Sequence, residues 1–334
     1  MSGALLEIRD LAVGFSREGR FARVIPGLSY TVQAGETLGI VGESGSGKSV
    51  HALALLGLLA QPPGRVLGGR ARFVGEDLLA LPEARLRDLR GARIGMIFQD
   101  PMTALNPVLT IGRQIAEPLM RHKAMSRRQA WDRAGDLLAL AGIRDGARRL
   151  AQFPHEFSGG MRQRVMIAIA VACEPALLIA DEPTTALDVT VQGQILDLMA
   201  DLRARMGMTI IWITHDMGVV AGIADTVQVM YAGRIMERGP VGAVFASPRS
   251  AYTWGLLRSL PHGAHRAGGR LHQIPGQPPD MFNLPPGDPF APRNPFATPR
   301  CHVEAPPLRA VADSAPGHMV AAWYDLPALL GAGA

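Results

Sequence analysis

Gly42-Glu43-Ser44-Gly45-Ser46-Gly47-Lys48-Ser49 decides how this sequence is read. The apolar run Leu38-Gly39-Ile40-Val41 precedes it and a helix-like run from His51 to Leu59 follows, so a G-x-x-x-x-G-K-S loop falls between a strand and a helix. Glycines in such a loop let backbone N–H groups turn inward around an anion. The helix N-terminus adds partial positive charge and Lys48 a full one. Ser49 is placed to hold Mg²⁺. A glycine-rich turn with an incidental lysine would not need this flanking order, so the stretch predicts a nucleoside triphosphate site.

Around that loop, 334 residues suffice for one large α/β domain with an appendage, or for two small domains. Thirty-four basic residues against 29 acidic ones, with no long run of like charge, argue against a nucleic-acid arm. Cys173 and Cys301 offer no disulfide framework and fit a reducing compartment. The first ten residues lack a signal-peptide pattern, and the longest apolar stretches, such as Ala52 to Ala60, fall well short of the ~20 residues a membrane span needs. Any membrane association is expected to come through a partner.

On the N-terminal side, Leu6-Glu7-Ile8-Arg9 and Leu28-Ser29-Tyr30-Thr31-Val32 alternate as antiparallel strands do, and Val66 to Val74 suggests a second strand pair. Phe15 lies near a turn, where an aromatic can stack on a base or fill a rim. On the C-terminal side, Ile94 to Phe98 is a short buried strand ending at Gln99, whose amide can ligate Mg²⁺ and position a water. Helical periodicity at Ala130, Ala134, Leu137, Leu138 and Ala141 marks a helical insertion over about 108–156. Ser158 then caps a helix behind Gly159 and Gly160, a second place where an anion would be welcome.

The run Ala176-Leu177-Leu178-Ile179-Ala180-Asp181-Glu182 is apolar until it ends in two carboxylates. In a parallel sheet such a run is buried on both faces and its C-terminal end faces the ligand crevice. That placement suits Asp181 to organise Mg²⁺ and Glu182 to take a proton from attacking water. Thr209 to Thr214 is a further buried strand, ending at His215, which is placed for a γ-phosphate but on its own also reads as a structural histidine. A hairpin over Thr226 to Arg238 and a short helix at Val241 to Ala246 close the domain. From Pro248 onward lie fifteen of the 26 prolines, which predicts a loop-rich appendage with little regular structure and no core of its own.

In this order, Gly42 to Ser49, Gln99, Ser158-Gly159-Gly160-Met161-Arg162-Gln163, Leu177 to Glu182, Ala186-Leu187-Asp188 and His215 resemble the ATP-binding subunit of an ABC transporter. Phe98 to Pro107 and Asp181 to Gln192 resemble more narrowly the dipeptide, oligopeptide and nickel importer branch, and the likeness covers nearly the whole chain. It implies a P-loop NTPase of ABC type: an α/β fold with a mixed central sheet, an antiparallel β subdomain, a helical insertion and a proline-rich tail, divided as 1–247 and 248–334. It implies ATP bound through Gly42, Glu43, Ser44, Gly45, Ser46, Gly47, Lys48, Ser49 and Val50, with Phe15 toward the base. Lys48 would contact the β- and γ-phosphates. Ser49, Gln99 and Asp181 would hold Mg²⁺, Glu182 would be the general base and His215 a γ-phosphate sensor. Ser158, Gly159, Gly160 and Gln163 would serve the ATP of a partner subunit, with Asp188 in the D-loop between the two.

The resemblance further implies a second ATPase subunit, a paralogue by family habit, two transmembrane permease subunits and, indirectly, a periplasmic solute-binding protein. It implies no nucleic acid, and places the chain peripherally on the cytoplasmic face of the bacterial inner membrane. The alternative is a soluble ABC ATPase acting on nucleic acid or ribosomes, which would be expected to show a tandem cassette or a long coiled-coil insertion. Relatives in this branch can carry four tail cysteines that bind an iron–sulfur cluster. Here Asp288, Asn294 and Ala322 stand in that frame and Cys301 alone remains, so no cluster is expected.

Overall fold

The computed structural model describes residues 3–185, 187–260 and 273–331. Ala186, within the Ala186-Leu187-Asp188 motif, and part of the proline-rich tail lie outside the described residues.

The chain opens with two long strands, β1 (Ala4–Arg17) and β2 (Arg20–Gln33), paired antiparallel through the tight turn between them. β3 (Thr37–Val41) leads into the phosphate loop and α1 (Lys48–Leu55) leaves it. The segment expected to form a second strand pair instead forms one strand, β4 (Gly64–Phe73), which adds to β1, with the two-residue β5 (Glu76–Asp77) at its edge. β1 presents a free edge of matching length, so the whole alternating run pairs with it and is not folded back on itself. The resulting sheet has the order β2-β1-β4-β5.

After α2 (Glu83–Leu89) and β6 (Ile94–Ile97) come the helices α3 (Pro101–Ala104), α4 (Ile111–His122), α5 (Arg127–Leu140), α6 (Gly146–Arg149) and α7 (Gly159–Val171). A capping box starts α5: the Ser126 hydroxyl accepts the Gln129 N–H and the Gln129 side chain accepts the Ser126 N–H. The chain then runs through β7 (Leu177–Asp181), α8 (Val189–Met206), β8 (Thr209–Thr214), α9 (Met217–Ile223), β9 (Thr226–Tyr231), β10 (Arg234–Pro240) and α10 (Val241–Ala246). β6, β7, β8, β3 and β9 are parallel neighbours, and β10 pairs antiparallel with β9.

Successive side chains on a strand point to opposite faces. Leu177, Ile179, Ile211 and Ile213 accordingly pack toward α1 and the β1–β2–β4 sheet, while Leu178, Ala180, Ile210 and Trp212 pack toward α5, α7 and α8. Strands buried on both faces need continuous apolar runs, which is why β7 and β8 read as they do.

The tail carries more order than its composition predicts. It starts with α11 (Ala251–Arg258) and adds α12 (Pro299–Val303), β11 (Arg309–Ala310), β12 (Met319–Val320) and α13 (Leu326–Gly331). β12 pairs with β10 and β11 with β12, so the central sheet runs β11-β12-β10-β9-β3-β8-β7-β6 among the described residues. Tyr252 and Phe290 are fully buried against Tyr231 of β9, with the three ring centroids 4.7–5.3 Å apart. The tail thus borrows a core from the sheet. Glu237 of β10, wholly buried, accepts the N–H groups of Arg249 and Ser250 and bonds His318 at 2.8 Å, so its charge has partners on the tail.

Candidate functional site

Register brings the motif residues together. Val41 of β3 pairs with Thr214 of β8, and Asp181 of β7 with Ile213 of β8, so Gly42, Glu182 and His215 leave three neighbouring strands at one level. This is the C-terminal crevice of a parallel sheet. Gly42 tolerates no side chain: a Cβ there would meet the Met230 carbonyl oxygen at 2.1 Å. Gly47, at the N-cap of α1, has φ +93°, in the left-handed region that glycine enters without strain.

Lys48 is 4 % exposed, and its Nζ donates to the carbonyls of Gly42 (2.8 Å) and Glu43 (3.1 Å). Ser49 Oγ donates to Asp181 Oδ1 at 2.8 Å. Burial pushes the Lys48 ammonium pKa down, against the pull of Glu182, Asp181 and Glu43. Burial likewise pushes the Asp181 carboxyl up, against the bond from Ser49. An anion over Lys48 and a cation beside Asp181 would each relieve that cost. The buried Ser46 hydroxyl has no hydrogen-bond partner among the described residues.

Glu182 is 9 % exposed and has φ +47°, an uncommon conformation for a residue with a side chain and a mark of backbone strain held in place by its surroundings. Its Oε2 accepts from Gln99 Nε2 (3.1 Å) and from the Thr185 hydroxyl (2.9 Å), and lies 3.4 Å from His215 Nδ1. The His215 side chain remains 56 % exposed. Thr185 is thus a member of the cluster that sequence reasoning passed over, although a hydroxyl three residues after a carboxylate was a signal.

These groups open onto a cavity of ≈ 650 Å³ that contains Ser44, Gly45, Gly47, Lys48, Ser49, Val50, Gln99 and Glu182, with Phe15 and Val24 at its apolar side. Phe15 is thus part of the cavity lining. Two tail residues, Met281 and Phe282, also line the cavity, and nothing in the periodicity of the tail announced them.

Ser158, Gly159 and Gly160 start α7 away from this cavity. Ser158 and Gly159 are exposed, and the Ser158 hydroxyl accepts the Met161 N–H at 3.4 Å. Gln163, one helical turn on from Gly159 and Gly160, is 2 % exposed, and its buried Nε2 has no hydrogen-bond partner among the described residues. Asp188 accepts the Val191 N–H at 2.9 Å and caps α8. Oxygen donors from Ser49, Gln99 and Asp181 fit a hard cation that shares its shell with phosphate.

At the tail positions in the cysteine frame, Asp288 Oδ1 accepts the Phe290 N–H, Asn294 Oδ1 accepts the Phe296 N–H, and Cys301 Sγ accepts the Thr298 N–H. Each side chain closes a local turn. No helix of the described residues is long and apolar enough to cross a membrane.

Comparison with known proteins gives two family matches: ABC transporter over residues 25–185, and oligopeptide/dipeptide transporter, C-terminal region, over 236–301. Along almost its full length the chain is similar to the oligopeptide transport ATP-binding protein OppD of Bacillus subtilis (strain 168), 51 % identical over 97 % of this chain and 89 % of the relative. It is 50 % identical to OppD of Salmonella typhimurium over 98 % of this chain and 96 % of that one. Among solved structures, the dimeric post-hydrolysis state of the ATP-binding cassette MJ0796 bound to ADP and Pi matches with TM-score 0.64 at 26 % identity, covering 71 % of this chain and 98 % of that chain. CbiO1 from Clostridium perfringens matches with TM-score 0.60 at 27 % identity, covering 73 % and 91 %. These relatives lend no support to a soluble ATPase acting on nucleic acid or ribosomes.

Proposed function

This chain belongs to the oligopeptide branch of the ABC transporter ATP-binding proteins, and on that premise we propose that it drives peptide import by hydrolysing Mg-ATP at an interface with a second ATPase subunit. The observation that carries the reading is a division within the chain. Lys48, Ser49, Gln99 and Glu182 line one cavity, with Asp181 hydrogen-bonded to Ser49, whereas the capped helix start at Ser158–Gly160 stays outside it and open. A helix N-terminus turned outward suits the phosphates of an ATP held by another subunit.

In the proposed reaction Lys48 and the loop N–H groups hold the β- and γ-phosphates. Ser49, Gln99 and Asp181 hold Mg²⁺, which when bound neutralises charge on the phosphates. Glu182 accepts the proton of the water whose oxygen attacks the γ-phosphorus as the bond to the leaving ADP oxygen breaks. The Gln99 bond to Glu182 ties this carboxylate to the loop running from Gln99 to Pro107. Closure of the two subunits would travel through that loop and α4–α5 to a pair of permease subunits, placing the chain peripherally on the cytoplasmic face of the inner membrane. A periplasmic binding protein would select the peptide, and the second ATPase subunit would be a paralogue. No iron–sulfur cluster is proposed for the tail, in keeping with the turn-closing bonds of Asp288, Asn294 and Cys301.

The test is expression of the whole operon with an affinity tag on this chain. Copurification with two membrane subunits, and ATPase activity stimulated by peptide-loaded binding protein in proteoliposomes, is the expected result. Stimulation by a loaded binding protein carrying a non-peptide solute would overturn the peptide assignment.

A further inference from the structure

The cavity has two unlike ends. Lys48, Ser49, Gln99 and Glu182 make one end charged and polar, and Phe15, Val24, Met281 and Phe282 make the other mainly apolar, with Arg17 also in the lining. A nucleoside triphosphate has the same polarity, so the apolar end faces the base. Half of that end comes from the tail.

The tail segment is built to be there. Asp280 Oδ1 accepts the Phe282 N–H at 2.9 Å, and the Asp280 carbonyl accepts the Asn283 N–H at 2.9 Å, closing a turn with Met281 and Phe282 at its tip. Arg20 of β2 donates Nη2 to the Phe282 carbonyl at 3.0 Å, and its guanidinium carbon lies 5.7 Å from the Phe282 ring centroid. Eleven residues after Phe282, Arg293 forms a bidentate pair with Glu43 inside the phosphate loop, at 2.6 and 3.0 Å, and donates to the Tyr231 hydroxyl at 3.0 Å. Tyr252 Oη accepts the Glu43 N–H at 2.8 Å. The pair is largely shielded from water, which makes it a firmer tie than a surface ion pair.

We propose that the tail is part of the nucleotide site of its own chain: Met281 and Phe282 contact the purine nucleoside opposite Phe15, and the Arg293–Glu43 pair with Tyr252 fixes the tail to the loop that holds the phosphates. This rests on the reading of the cavity as an ATP site. Contact through a thioether and a ring face suits a flat heterocycle and leaves the triphosphate to the loop.

The experiment compares binding of MgATP and of inorganic tripolyphosphate with Mg²⁺ to the full chain by calorimetry. In Met281→Ala/Phe282→Ala the MgATP Kd is expected to rise roughly tenfold, in the range of a lost base stack, with tripolyphosphate unchanged. Phe282→Trp, which keeps a flat face, should restore most of the affinity in the Met281 background. Lys48→Ala serves as the contrast and should weaken both ligands. Unchanged ATP binding in the double variant overturns the proposal, and so does an equal loss for ATP and tripolyphosphate, which would mean that the turn acts only by propping the loop. A wild-type chain that binds neither ligand would instead overturn the ATP reading itself.

Discussion

On the phosphate side of the cavity, Asp181 ends β7, and Glu182 and His215 follow directly from β7 and β8, whose mutual register sets their height. At the other end, Phe15 comes from β1 and Phe282 from a turn near the opposite end of the chain, and packing alone brings them together. The first end is rigid because backbone ladders in a buried parallel sheet cannot slip by one residue without turning every side chain over. The second depends on a few contacts, Arg20 to Phe282 and Arg293 to Glu43, and can be altered without disturbing the sheet. Chemistry sits where geometry is held by many bonds, and ligand choice where it is held by few.

The sharpest way to test that contrast is Glu182→Gln. Loss of the base should lower ATP turnover by about 10² to 10⁴-fold, while ATP still binds and the closed dimer accumulates because a negative charge is gone. Phosphate release and size-exclusion chromatography with ATP measure the two effects. Turnover like that of the wild type would remove Glu182 from the mechanism.

The next effect concerns stability beneath the carboxylate end. His51 of α1 is fully buried, its ring 6.0 Å from that of Tyr30, and burial pushes its pKa down to about 4, partly opposed by the Gly47 and Lys48 carbonyls. Above pH 6.5 the histidine is neutral folded or unfolded. As pH falls below 6.5 only the unfolded chain takes the proton, so stability drops until the folded pKa is passed, by about 3 kcal/mol in all. Urea unfolding from pH 7.5 to 4.5 should show this excess loss, and His51→Gln should lack it. Direct imidazole titration by NMR provides a second reading; protonation near pH 6.5 in the folded protein would contradict the burial.

The smallest expected effect is at the apolar end. Phe15→Ala should raise the ATP Kd several-fold, on the scale of a single partial stack, with kcat little changed. A fall in kcat with an unchanged Kd would break the division between the two ends.

Legibility in the sequence follows the same line. Strands β7 and β8 were readable because burial on both faces demands unbroken apolar runs, and the carboxylates stand out as soon as those runs stop. The phosphate loop was readable because its spacing is dictated by an anion. By contrast β11 and β12 have two residues each, too few to carry a period. Met281 and Phe282 lie among prolines, where side-chain direction follows from turns and not from a repeat. Gln163 belongs to a motif whose spacing is visible in the sequence, but its burial is settled only once the helix has packed.

The short β11 has a consequence of another kind. An eight-stranded sheet leaves unpaired N–H and C=O groups along its outermost strand, which can recruit strands from other molecules. Here β12 pairs with Glu237 and Arg238 of β10, and β12 is paired in turn by a strand of two residues that begins with Arg309, whose guanidinium turns back to the Ala322 carbonyl. The sheet therefore tapers to almost nothing on that side. In the proposed mechanism the chain closes repeatedly against one partner subunit, and an edge that narrows to two residues offers little foothold to any other strand.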